Sequence, residues 1–253
     1  MIIIIIIIMH IAYKNPGVPF GDITKQVTDD SENKVSYIGR LDPLASGIII
    51  YLEGDELKNR DKYLNMDKTY KFNLIIGIST DTGDCLGIIR KIQSVNTINM
   101  TNLMEVFSKF LGEYEQKYPI YSAYQIHKNG IKKPLWYFAK NGIELGESEI
   151  PKHDIKIYNL EQDANPIFSI RNINYFTEQI KLIPDGLELR KDEIMAQYKE
   201  YDKVRLIGIP MIAKVSSGTY IRQLCMDIGD KLGIPCMADK IERVGYHFQG
   251  SKL

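Results

Sequence analysis

A carboxylate that is to act as a nucleophile must be ionised, fixed in place and open to its substrate, and Asp42 has the sequence setting for this. It stands in the run Gly39-Arg40-Leu41-Asp42-Pro43-Leu44-Ala45-Ser46-Gly47. Pro43 disfavours helical backbone at Asp42 and pushes it extended. Residues two apart in an extended stretch project to the same side, so Arg40 and Asp42 share one side while Leu41 turns inward. A cation within reach keeps a carboxylate charged, and a charged carboxylate can attack carbon and form a covalent intermediate. An aspartate between glycines is also a common turn former, and an Arg–Asp pair can be purely structural. The residues alone leave these readings open.

Other chemistries find less support. His10, His127, His153 and His247 are far apart and include no H-E-x-x-H run, so no metal site is expected. Cys85, Cys225 and Cys236 show no C-x-x-C spacing and are too few for a disulfide framework. They read as reduced thiols of a cytoplasmic protein.

The elements that must position Asp42 follow from hydrophobic periodicity. An apolar run over 8–13 ends in Asn15-Pro16-Gly17, and a short helix is expected over 22–28 with Asp22 near its start. Residues 34–38 lead into the Asp42 segment, and Ile48-Ile49-Ile50-Tyr51-Leu52 reads as a buried strand closed by Gly54, so Asp42 lies between two hydrophobic runs. Helical spacing over 56–64 precedes a strand over 70–78. There a period of two puts Tyr70, Phe72, Leu74, Ile76 and Ile78 on one face, with Tyr70 at its head.

Thr80-Asp81-Thr82-Gly83-Asp84 is a polar turn, and a helix over 102–111 is expected with Thr101 or Asn102 as cap. A second helix runs over 134–140, with proline in its first turn. Strands are expected over 155–160, 167–173 and 204–215, with Pro210 marking a break or an edge in the last. Between them, 185–202 is charged and helix-prone, an expected insertion on the surface. A helix capped by Thr219 carries Ile221, Leu224, Cys225, Ile228 and Leu232 on one face, which places Arg222 in its first turn. No repeat or linker divides residues 1–253, so one domain is expected.

Charge is balanced, with 32 basic and 32 acidic residues, so nucleic acid can be attracted only by local patches. The candidates are Lys58, Arg60, Lys62 and Lys68, and Lys128, Lys132 and Lys133. The isoleucine run 2–8 is shorter than the roughly 20 residues of a membrane-spanning helix. It also lacks the basic start and cleavage site of a secretory signal, and reads as a buried strand.

Several blocks occur in an order that resembles the TruB-type tRNA pseudouridine synthases. GRLDPLASG is similar to the motif around that family's nucleophile. Tyr13-Lys14-Asn15-Pro16-Gly17 resembles its lysine-proline-glycine turn, Asp67-Lys68-Thr69-Tyr70 its Lys-x-Tyr strand, and Thr80-Asp81-Thr82 its Thr-Asp-Thr turn. Pro119-Ile120-Tyr121-Ser122-Ala123, Lys133-Pro134-Leu135-Trp136-Tyr137 and Ser216-Ser217-Gly218-Thr219-Tyr220-Ile221-Arg222 match later segments.

The resemblance implies an isomerase that converts a flipped-out T-loop uridine of tRNA, at tRNA position 55, to pseudouridine without cofactor or metal. By the same resemblance Asp42 is the nucleophile, Arg222 its ion-pair partner and Tyr70 the tyrosine that stacks on the base. Tyr37, Arg40, Tyr220, Ile241 and Lys14 would contact substrate. The implied fold is α+β, a mixed, mostly antiparallel sheet flanked by helices with a central active-site cleft. Tyr37 stands near the position of a histidine in many members, Arg40 where threonine is common, and Glu242 where a basic residue is common. The chain ends soon after His247, so no C-terminal PUA domain is expected. The expected state is a cytoplasmic monomer binding the tRNA T-arm. The alternatives are a T-loop-like stem-loop of rRNA or mRNA as substrate, and a non-catalytic tRNA-binding or folding chaperone.

Overall fold

The computed structural model describes residues 10–27, 34–170, 173–187, 189–201 and 203–248. The isoleucine run 2–8 lies outside them. The strands in chain order are β1 (His10–Lys14), β2 (Val35–Tyr37), β3 (Ser46–Glu53), β4 (Asp67–Ile76), β5 (Ile78–Thr80), β6 (Ile89–Ile92), β7 (Gly112–Lys117), β8 (Gln125–Lys128), β9 (Ile131–Pro134), β10 (Lys152–Gln162), β11 (Phe168–Ile170), β12 (Leu206–Val215) and β13 (Cys236–His247). The helices are α1 (Phe20–Val27), α2 (Arg60–Leu64), α3 (Met100–Ser108), α4 (Leu135–Lys140), α5 (Asn174–Ile180), α6 (Lys191–Lys199) and α7 (Ile221–Leu232).

Nine strands form one sheet in the order β1-β3-β13-β4-β12-β10-β7, with β2 beside β3 and β11 beside β12. Its pairs are antiparallel except β13 with β3, so the sheet is mixed and mostly antiparallel, as expected. The hairpins β5-β6 and β8-β9 stand apart from it. Among the described residues no helix is long and apolar enough to cross a membrane.

Alternation along the central strands sends side chains into two cores. Phe72, Leu74 and Ile76 of β4, with Cys236 and Ala238 of β13, face a core that includes Leu103, Val106 and Phe107 of α3 and Ile221, Leu224, Cys225 and Ile228 of α7. Burying each large aliphatic of α7 stabilises the fold by roughly 1.5–3 kcal/mol. Ile75 and Met237, one residue out of phase, face the second core with Phe176 and Ile180 of α5. The charged segment 185–202 supplies α6, and its Ile194 and Tyr198 are fully buried in that second core.

The structure corrects four local expectations. Ile78 does not share the Tyr70 face: Gly77 turns the chain at φ +109° between β4 and β5, and Ile78 joins the second core. Pro210 lies inside continuous β12, between β4 and β10, and not at an edge. Its carbonyl accepts from Asp163 N, so its ring nitrogen points to the same side, where β12 changes partner from β10 to β11 and no ladder donor is needed. Asn99, not Thr101 or Asn102, caps α3 by accepting from Asn102 N. Thr219 does not cap α7, because its hydroxyl donates to Ser216 O within a turn. The start of α7 is held by Gln116 of β7 instead, which accepts from Tyr220 N at 2.9 Å and donates to Tyr220 O.

Candidate active site

Asp42 and Arg222, 180 residues apart in sequence, meet in a bidentate ion pair. Arg222 Nε donates to Asp42 Oδ2 at 2.7 Å and Nη2 to Oδ1 at 2.9 Å. Two planar groups in this arrangement fix each other's orientation as well as their charge. The guanidinium is 3% exposed and also donates to the carbonyls of Thr82 and Tyr121. Burial by itself would lower the Arg222 pKa, but the Asp42 and Asp84 carboxylates outweigh it and raise it. Arg222 is therefore a permanent cation, while the Asp42 carboxylate, on its outer side, reaches a cleft of about 1250 Å³.

The loop carrying Asp42 is tied down residue by residue. Lys14, 1% exposed, donates from Nζ to Pro43 O at 2.8 Å, Ala45 O at 2.7 Å and Asn15 O at 3.3 Å. Gly17 N donates to Pro43 O, and Ala45 N to Asp42 O. Gly47 takes φ +120°, and a Cβ there would meet Arg243 O at 2.2 Å, so the close parallel approach of β3 and β13 requires glycine. Burial lowers the Lys14 pKa to about 8 against the field of Asp42, which raises it. Three carbonyl acceptors use all three ammonium protons. Lys14, expected to contact substrate, is not among the residues that line the cleft; in this structure it is a buried brace for the Asp42 loop. Lys14→Met is expected to cost about 1–3 kcal/mol of stability, chiefly through the orphaned Ala45 carbonyl, and to lower turnover roughly tenfold or more through a displaced Asp42. Thermal denaturation and turnover measured together check both.

The other expected residues fall on the cleft walls. Tyr70, Ile241, Tyr220, Tyr37 and Arg40 all line it with Asp42. Tyr70 lies in register with Arg243 on one side and Ala213 on the other. Ile241 comes to the cleft through an irregularity of β13 between Asp239 and Glu242, where Lys240 takes φ +46°. Burial, and then the charge of Asp42, push the Tyr220 hydroxyl up to about 12, which keeps it a proton-bearing donor at neutral pH. Tyr37 shares a 2.6 Å hydrogen bond with Thr24 and stacks edge-on against Phe20 of α1.

Arg40 is exposed, and it is Arg222, not Arg40, that pairs with Asp42. Arg222 enters from the first turn of α7 and reaches both carboxylate oxygens, with Nε and Nη2. Of the basic patches, Lys58 is held by Asp55 and Lys128 by Glu149, whereas Lys68 is buried. Arg60 remains at the cleft rim, bonded to Ser36.

Sequence reasoning missed three residues. Asp84, 8% exposed, accepts from Thr82 Oγ1 and Leu86 N on one oxygen and places the other 3.7 Å from Arg222 Nε. Burial raises its pKa, with Arg222 opposing. Arg190 forms a bidentate pair with Asp81 at 2.8 and 3.1 Å and lies 4.7 Å from the centre of the Tyr121 ring. The polar turn at 80–84 was visible as a block, but only folding shows that its second aspartate backs Arg222. Arg190 gave no signal, because it stands in a charged segment with no recognisable spacing. The third, Arg243, adjoins Glu242 in β13 and donates to Ile48 O and Gly39 O, bracing the strand entering the Asp42 loop.

The family model described as TruB family pseudouridylate synthase (N terminal domain) matches residues 25–171. The chain belongs to the TruB family. Among similar proteins, tRNA pseudouridine synthase 4 of Saccharomyces cerevisiae is 29% identical over 249 residues, covering 85% of this TruB-family chain and 61% of the relative. tRNA pseudouridine synthase B of Clostridium acetobutylicum is 31% identical over 236 residues, covering 92% of the chain and 64% of the relative. The chain thus spans less than two thirds of the length of these relatives. A crystal structure of a Cbf5-Nop10-Gar1 complex superposes with a TM-score of 0.53 at 15% identity, over 95% of this chain and 49% of the other. That likeness shows the fold, and the α+β architecture expected from the TruB resemblance is the one found.

Proposed function

We propose that this chain is a tRNA pseudouridine synthase that isomerises a T-loop uridine, with Asp42 as nucleophile. The observation that carries the reading is the bidentate Asp42–Arg222 pair at the wall of a cleft large enough for a nucleotide. The relatives named as tRNA pseudouridine synthases support tRNA as the substrate.

The chemistry asked of the site is modest in parts. The bond from N1 of uracil to C1′ of the ribose breaks, a bond from C5 to C1′ forms, the C5 proton leaves and N1 gains a proton. No atom is gained or lost: an ionised carboxylate adds covalently and leaves again, the C5 proton passes to the released carboxylate or to water, and N1 takes its proton from water. The target uridine must first leave its stack, at a cost of a few kcal/mol. Tyr70, lining the cleft with Asp42, offers an aromatic face for the extruded base, and Ile241 an apolar wall. Arg222 holds the carboxylate throughout and neutralises its charge when it is released.

Incubating the purified chain with an unmodified tRNA transcript and mapping pseudouridine is expected to show conversion at one T-loop uridine. A tRNA that is bound and refolded but never converted would replace this reading with a chaperone. Conversion of an rRNA or mRNA stem-loop, with tRNA untouched, would overturn the substrate.

A further inference from the structure

Lys68 and Arg243 are 5% and 1% exposed, and both line the cleft that holds Asp42. Lys68 Nζ donates to Leu64 O at 3.2 Å and Ser217 Oγ at 3.1 Å, and Ser217 in turn donates to Leu64 O at 2.6 Å. Two of the three ammonium protons are thereby used. Arg243 donates from Nε to Ile48 O and from Nη2 to Gly39 O, which leaves Nη1 without a protein acceptor among the described residues. Neither side chain forms a salt bridge among those residues, whereas the far more exposed Lys58, Lys152 and Lys181 all do. Asp67 contributes an attractive field at Lys68, but its own carboxylate accepts from the Tyr158 hydroxyl.

The two cations converge beside Gly39. A Cβ built there would lie 3.4 Å from Arg243 Nη1 and 3.9 Å from Lys68 Cε, so glycine, at φ +80°, puts no side chain between these two and the cleft that all three residues line. Like charges held together out of water repel, and burying them without a counter-charge is costly. Consistent with this, burial and then Arg243 push the Lys68 pKa down to about 8. Both side chains also brace backbone carbonyls, as Lys14 does, but unlike Lys14 each keeps an N–H that no protein oxygen takes among the described residues. Two cations with spare N–H groups, facing a common space on a cleft wall, are a receptor for an oxyanion.

We infer that Lys68 and Arg243 form a phosphate-binding subsite that grips one phosphodiester of the RNA strand carrying the target nucleotide, with Ser217 holding Lys68 in place. The inference rests on the RNA reading above and deepens it. Gly39 lies three residues before Asp42, so a phosphate held there would set the register of the strand relative to the nucleophile. It would read no base.

The test is RNA binding by the full chain, measured by fluorescence anisotropy with a T-arm hairpin over a range of salt. Lys68→Met is expected to weaken binding about tenfold and to reduce the slope of log Kd against log salt by about one. Lys68→Arg is expected to keep most of the slope. In parallel, hairpins carrying one methylphosphonate at successive positions are compared. One position is expected to weaken wild-type binding about tenfold and to have no further effect in Lys68→Met. Circular dichroism melting shows whether the variant is folded; if Lys68→Met is not, Lys68→Gln is used in its place. An unchanged salt slope, or no position at which the two changes overlap, overturns the inference. Inorganic phosphate displaced by Lys68→Met without any overlapping methylphosphonate would assign the subsite to free phosphate and overturn the RNA strand as its ligand. Because binding is read without turnover, the subsite can stand if no pseudouridine forms, and can fail if it does.

Discussion

Asp42→Asn is expected to lower pseudouridine formation by more than about 10⁴-fold, to the limit of detection, while leaving the fold and RNA binding largely intact. The substitution keeps the shape of the side chain but removes the charge and the nucleophilic oxygen pair. Arg222 would not be stranded, since Asp84 lies 3.7 Å away and the Thr82 and Tyr121 carbonyls still accept from it. The loop also keeps its other anchors, Lys14 and Gly17, which bond Pro43 and Ala45, not the Asp42 side chain. Loss of activity in a folded, RNA-binding variant is therefore diagnostic of chemistry at this carboxylate. The measurement is conversion of a tRNA transcript under single-turnover conditions. Turnover within tenfold of the wild type would remove Asp42 from the mechanism and, with it, the proposed function.

The second large effect is expected at Arg222. Arg222→Met keeps the length and apolar contacts of the side chain but leaves Asp84 buried with no cation, at a cost of about 3–5 kcal/mol. For a chain of this size that corresponds to a melting point lower by roughly 10 °C. Turnover is expected to fall about 10³-fold or more, because Asp42 loses both its orientation and its charge partner. Stability and activity can be separated by adding Asp84→Asn, which removes the stranded carboxylate. The double variant is expected to recover a substantial part of the lost stability and none of the activity. Arg222→Lys is expected to stay impaired, since an ammonium cannot make the two parallel bonds seen to Asp42. A double variant that regains turnover together with stability would reduce Arg222 to a folding element.

Much of the fold was legible in the sequence because it is written in local periods. The alternation of β4 from Tyr70 to Ile76 and the apolar face of α7 from Ile221 to Ile228 need only side-chain spacing to be read, and both are buried as expected. Where local rules failed, a distant partner had taken over. Thr219 has the chemistry of a cap, but its hydroxyl is spent on Ser216 and Gln116 of β7 holds the start of α7. Pro210 should mark a break or an edge, but β12 runs on through it, at the one place along the strand where the neighbour changes from β10 to β11.

The site divides along the same line. The run around Asp42 determined which carboxylate is extended, proline-fixed and flanked by glycine, and the ordered blocks tied Arg222 and Tyr70 to it. Spacing alone favoured neither cation for Asp42, and the tertiary structure shows the arrangement that the resemblance implied: Arg40, two residues away, stays exposed, and Arg222, 180 residues away, supplies both bonds. Nor could the sequence show that Lys14 and Lys68 are buried, that Asp84 backs Arg222, or that Arg190 reaches Asp81. A lysine or aspartate carries the same local signal whether it is solvated or enclosed. Its role is fixed by desolvation and by the charges brought beside it, and those exist only once the chain has folded.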